Sequence, residues 1–401
     1  MFFGQNPTTM RIIKYFLAVV FTLIALHFIL VFTGNKYIYT VLEMTVLKGK
    51  LGPSIDEYEA FHNDTVHPAD QPIRMPVGSD YNTVQLPDEY LQQHEKLQTV
   101  AYLVIKEDSL RHEFYREGFG SESASNSFSM AKSIVGTLIG IALQEGHIES
   151  LQQPAGHFVP FLNEGDFQKI TVEHLLNMSP GINFDESYLN PFAFPAKANY
   201  GPDLYELLQQ YQPVDEPGKT FSYQSGTSQL LAFVLEAAVG KPVHEYAQEK
   251  LWKPLGAQHP AYWSTDEKGR NKAFCCFNSN ARDFARFGAL YLKHGMFAGQ
   301  QIVDSAYVAA SVQPASHLME TNGEPNYRYG YHWWTYLNYK NKFDFFYMRG
   351  LKGQYVIAIP DENMIIVRLG RHREKRGTYD LPKDVEYWID GALHLVKTDK
   401  T

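Results

Sequence analysis

The sequence predicts an α+β protein: an antiparallel sheet flanked by helices, interrupted by a mostly helical insertion, and preceded by one transmembrane helix. Three observations carry this reading. Segments of strand character stand at both ends of the body, at 99–107 and 110–119 and again from 331 to 370. Between them, from Ser129 to about Leu292, apolar residues recur at helical spacing. Ahead of both, residues 15–33 are apolar and carry no formal charge. Strands at both ends and helices between them place the helices as an insertion into one sheet.

Taken in order, the apolar run 15–33 is broken only by Thr22 and His27, and at roughly 1.5 Å per residue it nearly spans a bilayer core. Arg11 and Lys14 precede it, which holds residues 1–14 in the cytoplasm and carries the body across an inner (cytoplasmic) membrane, to the periplasmic or extracellular side. A cleaved signal peptide is the alternative. The run exceeds the usual length of such a core and no Ala-x-Ala-like site follows, so residues 15–34 are read as an uncleaved anchor, with Tyr37 and Tyr39 as interfacial aromatics. Residues 35–87, rich in turn residues (Pro53, Pro68, Pro72, Pro76, Gly78), read as a stalk and lead-in, and 88–401 as the body.

Within the body, 88–97 is predicted helical and the two strands after it turn about Asp108-Ser109 as a hairpin. The helical subdomain, about 129–292, opens with an apolar helix that Gly146 ends. Thr171 caps 172–177, Gly240 closes 225–239, and Asn280 with Asp283 opens 281–292. The irregular segment 184–202, rich in Pro, Asn and aromatics, has the character of a lid or binding loop. Strands at 331–337, 343–349, 354–360 and 364–370 and a helix at 384–396 complete the body.

Composition excludes several functions. With 44% hydrophobic, 14% aromatic and 20% charged residues, the 401-residue chain has ample core for one large domain or two. A net charge of −8 without a basic run argues against nucleic acid. The two cysteines, Cys275 and Cys276, are adjacent; they read as small buried hydrophobes, with a vicinal disulfide as the other option. His174, His244 and His332 lack a repeated ligand spacing, and no phosphate loop is present, so neither metal nor cofactor is expected.

The chemistry concentrates at Ser129-Met130-Ala131-Lys132. Residues at i and i+3 share a helical face, so the Lys132 amine can reach the Ser129 hydroxyl and, once desolvated, take its proton. A helix start also offers free N–H groups to a developing oxyanion. Taken alone, the tetrad more often means an N-cap serine and a solvated lysine. The residues after it (Ile134, Val135, Leu138, Ile139, Ile141) are too apolar for a surface helix, and a lysine at the head of a buried helix needs a partner.

Over roughly residues 88–397 the chain resembles the serine beta-lactamase and penicillin-binding-protein superfamily, in its class C-like branch with esterases and 6-aminohexanoate-dimer (nylon oligomer) hydrolases. The resemblance rests on Ser129-Met130-Ala131-Lys132, on His174-Leu175-Leu176-Asn177-Met178-Ser179-Pro180-Gly181, on Tyr223-Gln224-Ser225, on Arg349-Gly350-Leu351-Lys352-Gly353-Gln354, and on Ala281-Arg282-Asp283-Phe284-Ala285-Arg286-Phe287-Gly288. It implies a beta-lactamase/transpeptidase-like fold. It further implies an acyl-enzyme on Ser129, with Lys132 as base and Tyr223 relaying a proton to the leaving group. The N–H groups of Ser129 and Gln354 would hold the oxyanion, Gly353 would let substrate approach the strand, and Ser225 would bind it where the family has asparagine. Leu351 stands where a cationic residue or His is usual, and Lys352 is one place off. These two departures, Ser225 and Leu351, favour small open-chain amides or esters over penicillins. The alternatives are a beta-lactamase or D-alanyl-D-alanine carboxypeptidase and, from another class, a non-catalytic binding protein of the same fold.

Overall fold

The computed structural model describes residues 7–50, 52–374 and 381–396. The first six residues of the expected cytoplasmic tail, and 397–401 at the end of the body, lie outside them. The chain opens with helix α1 (Pro7–Phe32), whose stretch Met10–Phe32 has a mean hydropathy of 2.6. At 1.5 Å per residue that stretch is ~35 Å long, enough to cross a bilayer. Its apolar side chains, Phe16, Phe21 and Phe32 among them, face outward. After a turn at Gly34 (φ +72°) comes α2 (Tyr37–Met44), and then strand β1 (Asn63–Val66).

These two elements correct the stalk expectation. Tyr37 and Met44 are buried, and Tyr37 donates to the Pro191 carbonyl (3.1 Å) rather than facing an interface; Tyr39 stays exposed. Strand β1 pairs antiparallel with β5 (Ala261–Ser264), and the Ile55 carbonyl accepts the Asn126 N–H (2.7 Å). The lead-in is thus built into the body. Its partners lie up to about two hundred residues away, which is why local sequence showed only turns.

Helix α3 (Asp88–Lys96) starts after Pro87 with two acids in its first turn. Strands β2 (Thr99–Lys106) and β3 (Ser109–Tyr115) form the expected hairpin, with Glu107 and Asp108 both left-handed (φ 52° and 62°), the geometry that matches strand twist. Strand β4 (Ser125–Asn126) then leads to α4 (Met130–Gln144), which Gly146 closes at φ +76°. The helical part continues with α5 (Val172–Leu176), held by a Thr171/His174 capping box, α6 (Phe194–Tyr200) inside the expected lid, and α7 (Leu204–Leu208). Next come α8 (Ser225–Val239), α9 (Val243–Ala247), β6 (Phe277–Ser279) after β5, and α10 (Ala281–Leu292), capped by Asn280. A small hairpin of β7 (Met296–Phe297) and β8 (Gln300–Gln301) precedes α11 (Ser305–Ser311). Strands β9 (Trp334–Tyr339), β10 (Phe343–Gly350), β11 (Gln354–Ile359) and β12 (Met364–Gly370) lead to α12 (Asp384–Leu395). β9 starts later than expected because His332 is left-handed (φ 60°) and caught between α4, α5 and α8.

Among the described residues, a six-stranded antiparallel sheet has the order β3-β2-β12-β11-β10-β9, so strands from both ends of the chain join at β2–β12. Alternate residues serve two cores: Leu103, Val356, Ile365 and Val367 pack with α4 and α10, while Tyr102, Ile357, Ile366 and Tyr355 pack with Trp388 and Ile389 of α12. Both faces are covered, which is why these strands read as continuous apolar runs. A second sheet, β1-β5-β6-β4, is short but decisive for the site. Its β4–β6 pairing sets the chain entering Ser129 beside the chain leaving Cys276.

Candidate active site

Ser129 is the residue before α4, and its position is forced by an unusual backbone. Phe128 is left-handed (φ 44°), a costly conformation for an aromatic residue, held by the Asn126 side chain accepting its N–H (2.8 Å). Ser127 donates to the Phe277 carbonyl (3.0 Å) across the small sheet. On the other side, β10 comes close at Gly350, where a Cβ would lie 2.2 Å from the Ser127 carbonyl oxygen, so only glycine fits.

Lys132, one turn into α4, is buried with its Nζ 3.2 Å from Ser129 Oγ, 3.3 Å from Ser225 Oγ and 2.8 Å from the Phe274 carbonyl. Burial lowers its pKa to about 8, with the Glu186 carboxylate pulling the other way. Tyr223 packs at the same point, with Lys132 Nζ 5.2 Å from its ring centroid, and both Tyr223 and Ser129 border the same cavity. Burial pushes the phenol up to about 12, against the effect of Ser129 and Arg349. Ser129, Lys132, Tyr223 and Ser225 are therefore brought together.

Ser225 is present but differently engaged than expected. Its hydroxyl donates to Glu186 and accepts from Lys132, and its N–H also goes to Glu186 (2.8 Å). It ties Lys132 to the 184–202 segment rather than offering a free group to substrate.

Two other expectations are corrected. Gln354 is fully buried; its side-chain amide donates to the carbonyls of Leu351 (3.0 Å) and Gly370 (2.6 Å) and accepts from Gly370 N–H (3.0 Å), and neither it nor Gly353 borders the cavities at Ser129. What approaches Gly353 (φ +85°) is the Arg368 guanidinium, 2.4 Å from where a Cβ would be. Leu351 does border both cavities, and among the described residues neither its N–H nor that of Ser129 donates to another group. The reason is the turn: with Lys352 and Gly353 both left-handed, the strand edge presented to Ser129 is Gly350-Leu351, three residues earlier than the extrapolated β11 start.

Sequence reasoning also missed Glu186, Phe274, Arg349 and Arg373. A cavity of about 460 Å³ beside Ser129 is bordered by Tyr223, Glu186, Trp334, Arg349 and Arg373. Arg349 and Arg373 supply there the positive charge that Leu351 lacks. Only an acidic residue in the lid and a motif-borne arginine hinted at them.

The remaining candidates are structural. His332 bridges the Leu176 carbonyl (2.7 Å) and Ser228 (2.8 Å), and burial lowers it to about 3. His174 belongs to the capping box and His244 pairs with Asp64 (3.0 Å). Among the described residues no cluster of His, Cys, Asp or Glu is arranged to hold a metal. Cys275 and Cys276 form a vicinal disulfide, the second of the two options. Arg286 is buried and paired with Asp283 (2.7 Å), and Arg282 pairs with Glu113.

The family model described as Beta-lactamase matches residues 88–385, about three-quarters of the chain. The chain belongs to the beta-lactamase family. It is 26% identical over 336 residues to a 6-aminohexanoate-dimer hydrolase of Paenarthrobacter ureafaciens, covering 80% of this chain and 83% of that one. A Bacillus anthracis structure provisionally named a 6-aminohexanoate-dimer hydrolase superposes with a TM-score of 0.70 at 25% identity, over 85% of this chain and 92% of the other. An octameric penicillin-binding protein homologue from Pyrococcus abyssi shares the fold, with a TM-score of 0.54 at 19% identity over 78% and 77% of the two chains. This beta-lactamase-family chain is accordingly a serine hydrolase, with the antiparallel sheet and helices of the beta-lactamase/transpeptidase-like fold.

Proposed function

We propose that the protein cleaves a small amide or ester through an acyl-enzyme on Ser129, with Lys132 as base and Tyr223 as proton relay. The observation that carries this is the Lys132 amine, buried 3.2 Å from the Ser129 hydroxyl with its pKa lowered to about 8. A neutral amine has two hydrogens and one lone pair. The hydrogens satisfy the Phe274 carbonyl and Ser225, leaving the lone pair for the Ser129 proton. Tyr223, at about 12, stays protonated near neutrality, so it suits proton delivery to the leaving atom and not proton abstraction. The free N–H groups of Ser129 and Leu351 take the oxyanion role expected of Ser129 and Gln354. Water then releases the acyl group.

The same reading makes α1 a single-pass anchor, with Arg11 and Lys14 on the cytoplasmic side and the hydrolase on the periplasmic or extracellular side. The test is fluorophosphonate labelling of the full chain beside Ser129→Ala and Lys132→Ala, with turnover of p-nitrophenyl butyrate and nitrocefin compared. Labelling and butyrate hydrolysis vanish in both variants. Near-native labelling of Lys132→Ala removes the lysine as base, and a tenfold preference for nitrocefin overturns the open-chain substrate assignment.

A further inference from the structure

Ser129 sits at a waist between two unlike cavities. The polar one, with Arg349 and Arg373, is described above. The other, about 340 Å³, is mostly apolar: Leu42 and Met44 of α2, Val46 just after it, Phe128, and Leu189 and Pro191 of the 184–202 segment border it, with Glu57, Asn126 and Asn199 among its polar lining. Ser129, Tyr188 and Leu351 border both cavities, whereas Tyr223 borders only the polar one. A group that protonates the leaving atom marks the leaving-group side, so the apolar cavity lies on the acyl side.

The mouth of this cavity is apolar too. Of the residues bordering it, Leu189 is 95% exposed and Val46 61%. They cluster with α2, only four residues after the end of α1, and α2 holds the segment bearing Leu189 through the bond from Tyr37 to Pro191. An exposed apolar lip next to a membrane-length helix is buried without cost at a bilayer surface.

We propose that the acyl group handled at Ser129 is a long unbranched alkyl chain, taken from an amphiphile dissolved in the membrane that α1 enters and laid in this cavity. This rests on the acyl-enzyme reading and narrows its substrate class. Ser129 Oγ bonds to the carbonyl carbon, the bond to the leaving oxygen or nitrogen breaks, and the Ser129 proton passes by way of Lys132 and Tyr223 to that atom. Water then returns a free fatty acid and the hydroxyl of Ser129. At about 30 Å³ per small group, the cavity takes roughly ten methylenes.

The test uses the full chain in phosphatidylcholine vesicles with p-nitrophenyl esters from acetate to palmitate. Each methylene added up to roughly ten carbons raises kcat/KM by up to about fourfold, after which the series levels. Ala196→Phe, which narrows the cavity, and Leu189→Glu, which charges its exposed lip, each lower the decanoate-to-acetate ratio at least tenfold. A flat wild-type series, or the same slope in both variants, which partitioning into vesicles alone would give, overturns the long-chain assignment and leaves Ser129 chemistry standing. No hydrolysis of any ester, together with no fluorophosphonate labelling, overturns the acyl-enzyme reading and this inference with it.

Discussion

Replacing Glu186 by Gln should make the enzyme faster at neutral pH, an unusual outcome for the loss of a half-buried acid beside the proposed base. Glu186 reaches Lys132 through Ser225, with Lys132 Nζ 3.3 Å from Ser225 Oγ and that oxygen 2.5 Å from Glu186. Laid end to end, these distances bound the charge separation at about 6 Å, worth ~0.7 kcal/mol at the dielectric of water and ~2.8 kcal/mol at an effective value near 20. One pKa unit is 1.36 kcal/mol, so the carboxylate raises the lysine by roughly 0.5 to 2 units. Glutamine keeps an oxygen for the Ser225 N–H but removes the charge. The base works when neutral, that is, above its pKa. Its midpoint should therefore fall from about 8 in the wild type to somewhere between roughly 6 and 7.5 in the variant. At pH 7 the neutral fraction then rises roughly 2.5- to tenfold. The assay is kcat/KM for p-nitrophenyl acetate across about pH 5 to 10 for both proteins. An unchanged or upward-moving midpoint, or a wild-type midpoint near that of a solvated lysine, refutes the electrostatic argument.

Tyr223→Phe should slow acylation and deacylation by roughly 10²–10⁴-fold, the range for a lost acid–base group, as read from burst and steady-state rates; unchanged turnover returns Tyr223 to the core. Asp283→Ala should destabilise the fold by about 3–5 kcal/mol, because it strands the buried Arg286 guanidinium and frees the Gln258 and His259 N–H groups; thermal and urea melts measure this. The full chain should remain in the membrane pellet after carbonate extraction. Truncation just before Tyr37 should give a folded soluble enzyme, whereas truncation at residue 80 should not, since it removes β1 and the buried Ile55 and Val66. A well-folded product of the second truncation contradicts the built-in lead-in.

The features determined by sequence alone are those whose physics is local. Ser129 and Lys132 lie one helical turn apart, and a helix fixes that distance whatever surrounds it. Thr171, Gly146, Gly240 and Asn280 satisfy helix ends within a few residues of themselves. Strands β2 and β12 declare themselves as apolar runs because both their faces are covered. Tyr223 was legible through its motif, not through spacing.

Tertiary structure decided the rest. The Phe274 carbonyl that orients Lys132 has no side-chain signature, and only the pairing of β4 with β6 brings it there. Glu186 lies 54 residues from Lys132 in an irregular segment. The proposed oxyanion donor is Leu351 and not Gln354 because two consecutive left-handed residues, Lys352 and Gly353, redirect the strand edge, and backbone torsions in a turn are set by what they pack against, here the Arg368 guanidinium. The lead-in is the largest such case. Its turn-rich residues carry no periodicity of their own, yet they become strand and core once Ala261–Ser264, remote in sequence, supplies the hydrogen bonds and cover that a four-residue strand cannot provide for itself.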